Sequence, residues 1–195
     1  MSPWPRALVS LLVIALSAGL LAIAVRLQPA PPPPPGSLVE PVLDVAPDQV
    51  VGIDARAWQG RLAAVREGGH WKIETFELRA NEGVSAASPP TQEQIDAVLT
   101  ELVRAIVATP EIDRFDASNQ PPSAFGLEEP QAAIRLALAD GGTRTLEIGG
   151  LTSTGAALYA RVLPGEAIVS IGNPIFNDLQ GALYRLRALA KPAAS

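Results

Sequence analysis

The chain has 195 residues with 20 acidic and 15 basic side chains, a net charge of −5, 19 prolines, one histidine and no cysteine. Without cysteine there can be no disulfide, thiolate metal site, thiol catalysis or lipidated cysteine. All the acidic residues lie beyond Ser37, whereas Arg6 and Arg26 flank the first apolar run. The chain beyond Ser37 therefore carries −7, a balance that argues against nucleic-acid binding and against lying flat on an anionic leaflet.

Residues 7–25 carry no charge and predict a transmembrane helix, since such a run at about 1.5 Å per residue spans a hydrocarbon core of roughly 30 Å. A cleaved signal peptide has an apolar stretch of about 7–15 residues before a small-x-small site. Ala22-Ile23-Ala24 offers such a site, but the run is longer and stays rich in leucine and isoleucine, so an uncleaved signal anchor is expected. Arg6 and the amino terminus bias residues 1–6 to the cytoplasm. That orientation predicts a single-pass protein of the inner (cytoplasmic) membrane with its domain in the periplasm or extracytoplasmic space. Residues 26–47 read as a proline-rich linker containing five consecutive prolines from Pro31 to Pro35, and polyproline II extends by about 3.1 Å per residue.

Residues 48–195 predict an α+β domain of antiparallel β-meanders, each followed by a packing helix. Short β-rich runs at 50–56, 61–67 and 70–76 form the first meander, and Gly68-Gly69 stands where a tight hairpin needs positive φ. Residues 81–90 read as a loop. Thr91 and Gln94 then fit a capping box, and Ile95, Val98, Leu99, Leu102 and Ile106 recur at helical spacing until Thr109-Pro110. Glu93, Asp96, Glu101 and Arg104 mark the solvated face of that helix.

Residues 116–130 read as an irregular connection. Ile134, Leu136 and Leu138 alternate with Arg135, Ala137 and Ala139; Asp140-Gly141-Gly142 turns the chain, and Leu146 and Ile148 alternate in the return strand. A further hairpin joins 157–163 to 167–171 about Pro164-Gly165. Asn173-Pro174 opens the last helix with a cap and a proline at its first position, and Ile175, Phe176, Leu179, Leu183 and Leu186 face the core. Arg185, Arg187 and Lys191 fall near its end, where cations complement the helix dipole. Residues 62–73 echo residues 158–169, each a hairpin leading towards a helix. The echo suggests a duplicated β-β-β-α unit with halves 48–110 and 126–190.

The order of a Trp71-Lys72-Ile73 strand, a long helix, the turn from Phe125 to Pro130, a strand ending Ile148-Gly149-Gly150 and the strand Tyr159-Ala160-Arg161 resembles a bacterial membrane-anchored domain-of-unknown-function (DUF) family. Genes of that family often stand beside those of gliding-motility-like, ABC-2-type transporters. The resemblance covers about 70–187, and its most specific residues are Gly126, Leu127, Pro130, Ile148, Gly149 and Tyr159-Ala160-Arg161. It implies a fold and ABC transporter subunits as partners, and no chemistry. Unlike many members, this chain carries one copy of the domain.

Each of those residues also has a structural reading. Gly126 takes a backbone conformation other residues avoid, Leu127 plugs the core, and Pro130 fixes the approach to the next strand. Tyr159 and Arg161 share one face of a strand, held by cross-face packing or by the cation over the ring. The residues with chemical potential form no motif. His70 lacks a nucleophile elbow and reads as a solvent-facing turn residue. Glu111, Asp113 and Asp116 lie on a proline-bounded loop without the glycine and terminal glutamate of a calcium loop. Gly149 to Gly155 lacks the lysine of a phosphate loop and reads as a flexible connection, while Glu128 and Glu129 solvate or cap a turn. No catalytic, cofactor-binding or metal-binding residue is therefore assigned, no cofactor is expected, and the binding residues stay unknown. The expected function is a non-catalytic membrane-tethered accessory or interaction domain. A module binding an envelope glycan or lipid is the alternative, and a hydrolase the second alternative.

Overall fold

The structure, a computed structural model, describes residues 40–79, 89–115 and 120–189. The expected anchor at 7–25 and most of the linker lie outside the described residues, and among those described no helix is long and apolar enough to cross a membrane. What is described is an α+β unit built on one antiparallel sheet of eight strands, with two helices.

Strands β1 (Val50–Ala57), β2 (Gly60–Glu67) and β3 (His70–Leu78) form the expected meander. Gly68 and Gly69 take φ of 59° and 90° at its second turn, as a tight hairpin requires. Helix α1 (Gln92–Val107) begins with the expected capping box. The Gln94 N–H donates to Thr91 Oγ1 at 3.3 Å, and the Thr91 N–H donates to Gln94 Oε1 at 2.8 Å, so two donors that the first turn leaves unpaired are satisfied. Strand β4 (Glu111–Phe115) follows, then a 3-10 turn (Pro122–Phe125) and strands β5 (Ala132–Leu138), β6 (Thr143–Leu151), β7 (Leu158–Leu163) and β8 (Ile168–Ile171). Helix α2 (Pro174–Arg185) closes the core.

The strand order is β3-β2-β1-β5-β6-β7-β8-β4, so the two meanders meet along the β1–β5 seam. Helix α1 starts beside Trp71 on β3, and the chain emerges from it into β4 at the opposite edge. Sixteen residues give a helix of about 24 Å, long enough to carry the chain over most of the sheet. One face of the sheet is apolar along its centre: Ile53, Ala55, Leu62, Ile134, Leu136, Leu146, Ile148 and Ala160 are all buried there against Leu99, Leu102 and Ile106 of α1 and Leu179 and Leu183 of α2. Each fully buried leucine or isoleucine contributes about 1.5–3 kcal/mol to that layer relative to exposure.

Four features differ from the sequence reading. Residues 40–47, placed in the linker by their prolines, lie against the domain. Pro41 bridges to Pro110, the Val42 N–H donates to the Thr109 carbonyl at 2.8 Å, and Leu43 is buried in the core. Residues 111–115, read as part of a proline-bounded loop, form instead the edge strand β4. Charged Glu111, Asp113 and Arg114 hide its character because an edge strand needs no apolar alternation, and charge there discourages further pairing. The two proposed halves differ in content, with three strands in 48–110 and four in 126–190. Asn173 provides no side-chain cap, because it already has helical φ and ψ of −63° and −20°; Pro174 alone marks the start of α2.

Candidate functional site

The face of the sheet away from the helices divides into two regions. Over β6, β7 and β8 it is covered by the 3-10 turn Pro122–Phe125 and the residues that follow it. Phe125, Leu127 and Ile168 form a small buried cluster there, with Phe115 and Tyr159 packed against it. Tyr159 meets Phe115 and Phe125 edge-on, with ring centroids 5.3 and 5.0 Å apart. Two glycines permit this cover. Gly126 has φ of 69°, and a Cβ on it would lie 2.7 Å from the Gly150 nitrogen; a Cβ on Gly149 would run into the Phe125 carbonyl oxygen. Gly149 and Gly150, read as part of a flexible connection, belong to β6, where the missing side chain of Gly149 lets the 3-10 turn rest on the strand. The expected roles of Gly126 and Leu127 are seen. Tyr159 and Arg161 do not hold each other: Arg161 donates through Nε and a terminal nitrogen to Glu147 Oε2, at 3.0 and 2.6 Å. A carboxylate is a stronger partner for a guanidinium than a ring face.

Over β1, β2, β3 and β5 the same face has no cover among the described residues. Residues paired directly across strands share a face. One row therefore runs Glu77, Arg61, Arg56, Ala133, Glu147, Arg161, and the next runs Thr75, Ala63, Asp54, Arg135, Thr145. Asp54 is the hub. Arg61 grips it with two donors, Nε to Oδ1 at 3.1 Å and a terminal nitrogen to Oδ2 at 2.9 Å, while Arg56 stands 3.7 Å off. The Arg61 hydrogen bonds hold the Asp54 carboxyl below its ordinary range against a smaller opposing effect of burial. Sequence reading missed this group because Asp54, Arg56, Arg61 and Arg135 come from three strands, and only register unites them.

His70, read as a turn residue, is instead the first residue of β3; its side chain faces solvent as expected, at 69 % exposure, but its Nδ1 lies 2.7 Å from Asp96 Oδ2. Asp96, read as part of a solvated helix face, also accepts the Trp71 N–H at 2.6 Å and a Gln92 N–H at 3.0 Å, and Gln92 donates to the Trp71 carbonyl at 2.8 Å. Residues at i and i+4 of α1 thus satisfy both backbone groups of one residue on the edge strand β3, standing in for a neighbouring strand. Hydrogen bonds from His70 first, then from the Trp71 N–H and Gln92, hold the Asp96 carboxyl below its usual value. Among the described residues the hydrogen-bond partners of the pair are the Trp71 N–H and Gln92, and the geometry is that of a clamp.

Glu128 and Glu129 are exposed on their turn. Glu111 is forked by Arg114 on β4 at 3.0 and 2.6 Å, and Asp113 accepts the Arg114 N–H at 2.9 Å, while Asp116 lies outside the described residues. Among the described residues no group of three or more His, Cys, Asp or Glu side chains comes together to hold a metal ion. Two grooves, of about 360 Å³ beside Arg114, Arg144 and Val162 and about 320 Å³ beside Pro122, Leu127 and Arg161, are both shallow and open to solvent. The uncovered sheet face is the candidate surface. Comparison of the chain with protein-family models, curated proteins and solved structures finds no match.

Proposed function

We propose that this protein is a non-catalytic, membrane-tethered extracytoplasmic domain that serves as an accessory or interaction component of an ABC-type transport assembly. The observation that carries the reading is the uncovered sheet face over β1, β2, β3 and β5, a broad rigid surface without a partner among the described residues. The uncharged run at 7–25 and the prolines behind it supply the tether, and the family resemblance supplies the class of partner. A tether raises the effective concentration of the domain near other membrane proteins, so a weak interface suffices. We propose further that the fold is a duplicated β-β-β-α unit. It is supported by the β2–β3 and β7–β8 hairpins, each antiparallel and each followed in the chain by a helix, and superposition of the two halves without overlap of those hairpins and their helices would remove it.

A photo-reactive residue at Thr143, exposed at the start of β6 and paired with Ala137 on the bordering strand β5 of the uncovered face, tests the functional reading in intact cells. Capture of a transporter subunit, identified by mass spectrometry, is expected. Recovery of the chain with no membrane transport component attached would overturn it.

A further inference from the structure

We infer that the uncovered sheet face docks an extended acidic segment of a partner protein through Arg56 and Arg135. The inference rests on the proposed interaction role and names the chemistry of the partner.

The charge arrangement at the β1–β5 seam is costly without a partner. Arg56 sits directly opposite Arg61 across the β1–β2 pair, and like charges in that position repel. Asp54 lies between them on the same face, but both its oxygens are engaged by Arg61, and Arg56 approaches it only to 3.7 Å. Arg135 stands directly opposite Asp54 on β5 and makes no ion pair among the described residues. Glu77, opposite Arg61, adds a second carboxylate at the far side of the group. Glu147, the next along the row, is already held by Arg161. Three guanidiniums thus share two carboxylates, and the two left without a hydrogen-bonded carboxylate are Arg56 and Arg135. The side chain of Arg56 is 63 % exposed, and Arg135 is exposed as well.

Spacing points to an extended chain. Arg56 pairs with Ala133, two residues before Arg135, so the two arginines are diagonal neighbours about 7–8 Å apart. Alternate side chains on one side of an extended segment are about 7 Å apart. Glutamates or aspartates at every second position therefore match the two guanidiniums, each able to take a two-pronged bond. Ala133, Ala137, Ala63 and Gly52 around the arginines keep the surface low enough for a backbone to lie across it. Charge decides against an anionic lipid surface, because the chain beyond Ser37 carries −7 and would be repelled as a body, whereas a short acidic segment meets the local rows, where Arg56, Arg61, Arg135 and Arg161 outnumber Asp54, Glu77 and Glu147.

The test titrates the full chain, in an uncharged detergent, with a fluorescent peptide of alternating glutamate and serine and with its glutamine-serine counterpart. Binding of the glutamate peptide that weakens with salt is expected. The Arg56→Gln, Arg135→Gln double variant should bind it about tenfold more weakly, while Lys72→Gln on the same face leaves it unchanged. Failure of the glutamate peptide to bind, equal binding of the glutamine peptide, or equal binding by the double variant overturns the inference. So does a dimer in sedimentation that the double substitution abolishes, which would assign the face to a second copy. In cells, capture of the same transporter subunit through Thr143 with and without the two substitutions removes the inference and leaves the interaction role standing. No capture by the unsubstituted chain removes the interaction role, and the peptide titration still decides the acidic-segment chemistry.

Discussion

The two faces of the sheet are made by the same strands and meet opposite fates. On the helix side, Ile53, Ala55, Ile134 and Leu136 are buried in one core with the apolar residues of the two amphipathic helices. On the other side, their chain neighbours Asp54, Arg56, Arg135 and Ala137 carry charge or are small, and among the described residues the cover lies over β6 to β8. An antiparallel sheet permits this division, since alternate residues point to opposite faces and one face can remain solvated. The contrast teaches where stability and recognition reside: apolar burial holds the helix side, and the exposed side is left to charges that burial does not constrain.

The largest expected effect comes from the helix side. Leu136→Ala, at a fully buried position beneath the helices, should lower unfolding free energy by about 2–5 kcal/mol in a urea titration, and a loss near zero would break the comparison. Leu127→Ala, in the small cluster on the other face, should cost about 2 kcal/mol, the low end for such truncations, because few buried neighbours surround it. A loss as large as that of Leu136 would make both faces true cores. Asp96→Ala removes the acceptor of the Trp71 N–H and should cost about 1–3 kcal/mol while speeding amide exchange at Trp71. The Asp96 carboxyl is held below its unfolded value, so its contribution is full above about pH 4 and is lost as pH falls through the lower folded value. Asp96→Asn should flatten that part of the stability profile, and an unchanged acid limb would exclude the clamp. Arg135→Gln, on the uncovered face, should change stability by no more than about 0.5 kcal/mol in the same titration, and a larger loss would give the exposed side a structural role.

Much of the fold was legible where a local pattern carries its own meaning. Alternation in 134–138, the glycine pair at 68–69 and the capping box at Thr91 each identify an element from a few neighbouring residues, and the structure places all three as expected. Strand β4 was not legible, because its partner β8 lies more than fifty residues along the chain and its own residues are mostly charged. Leu43 was hidden by the prolines around it, which signal a linker until the backbone pairing with Thr109 and Pro110 is known. The candidate surface was the least legible part. Arg56, Arg61 and Arg135 look like ordinary solvated charges in the chain, and their crowding around one carboxylate exists only in the register of β1 with β2 and β5.

The sequence by itself determined the class of the protein: an uncharged run of membrane-spanning length, a proline tract and an acidic, cysteine-free α+β domain whose turns and helix starts are written in local chemistry. Tertiary structure alone decided the strand order, the seam between the meanders, the clamp of α1 on β3 and the arginine-rich face. The physical reason is range. Hairpins, caps and turns are governed by neighbours a few residues apart, whereas strand order and cross-strand charge pairs depend on which distant segments bury their apolar sides together.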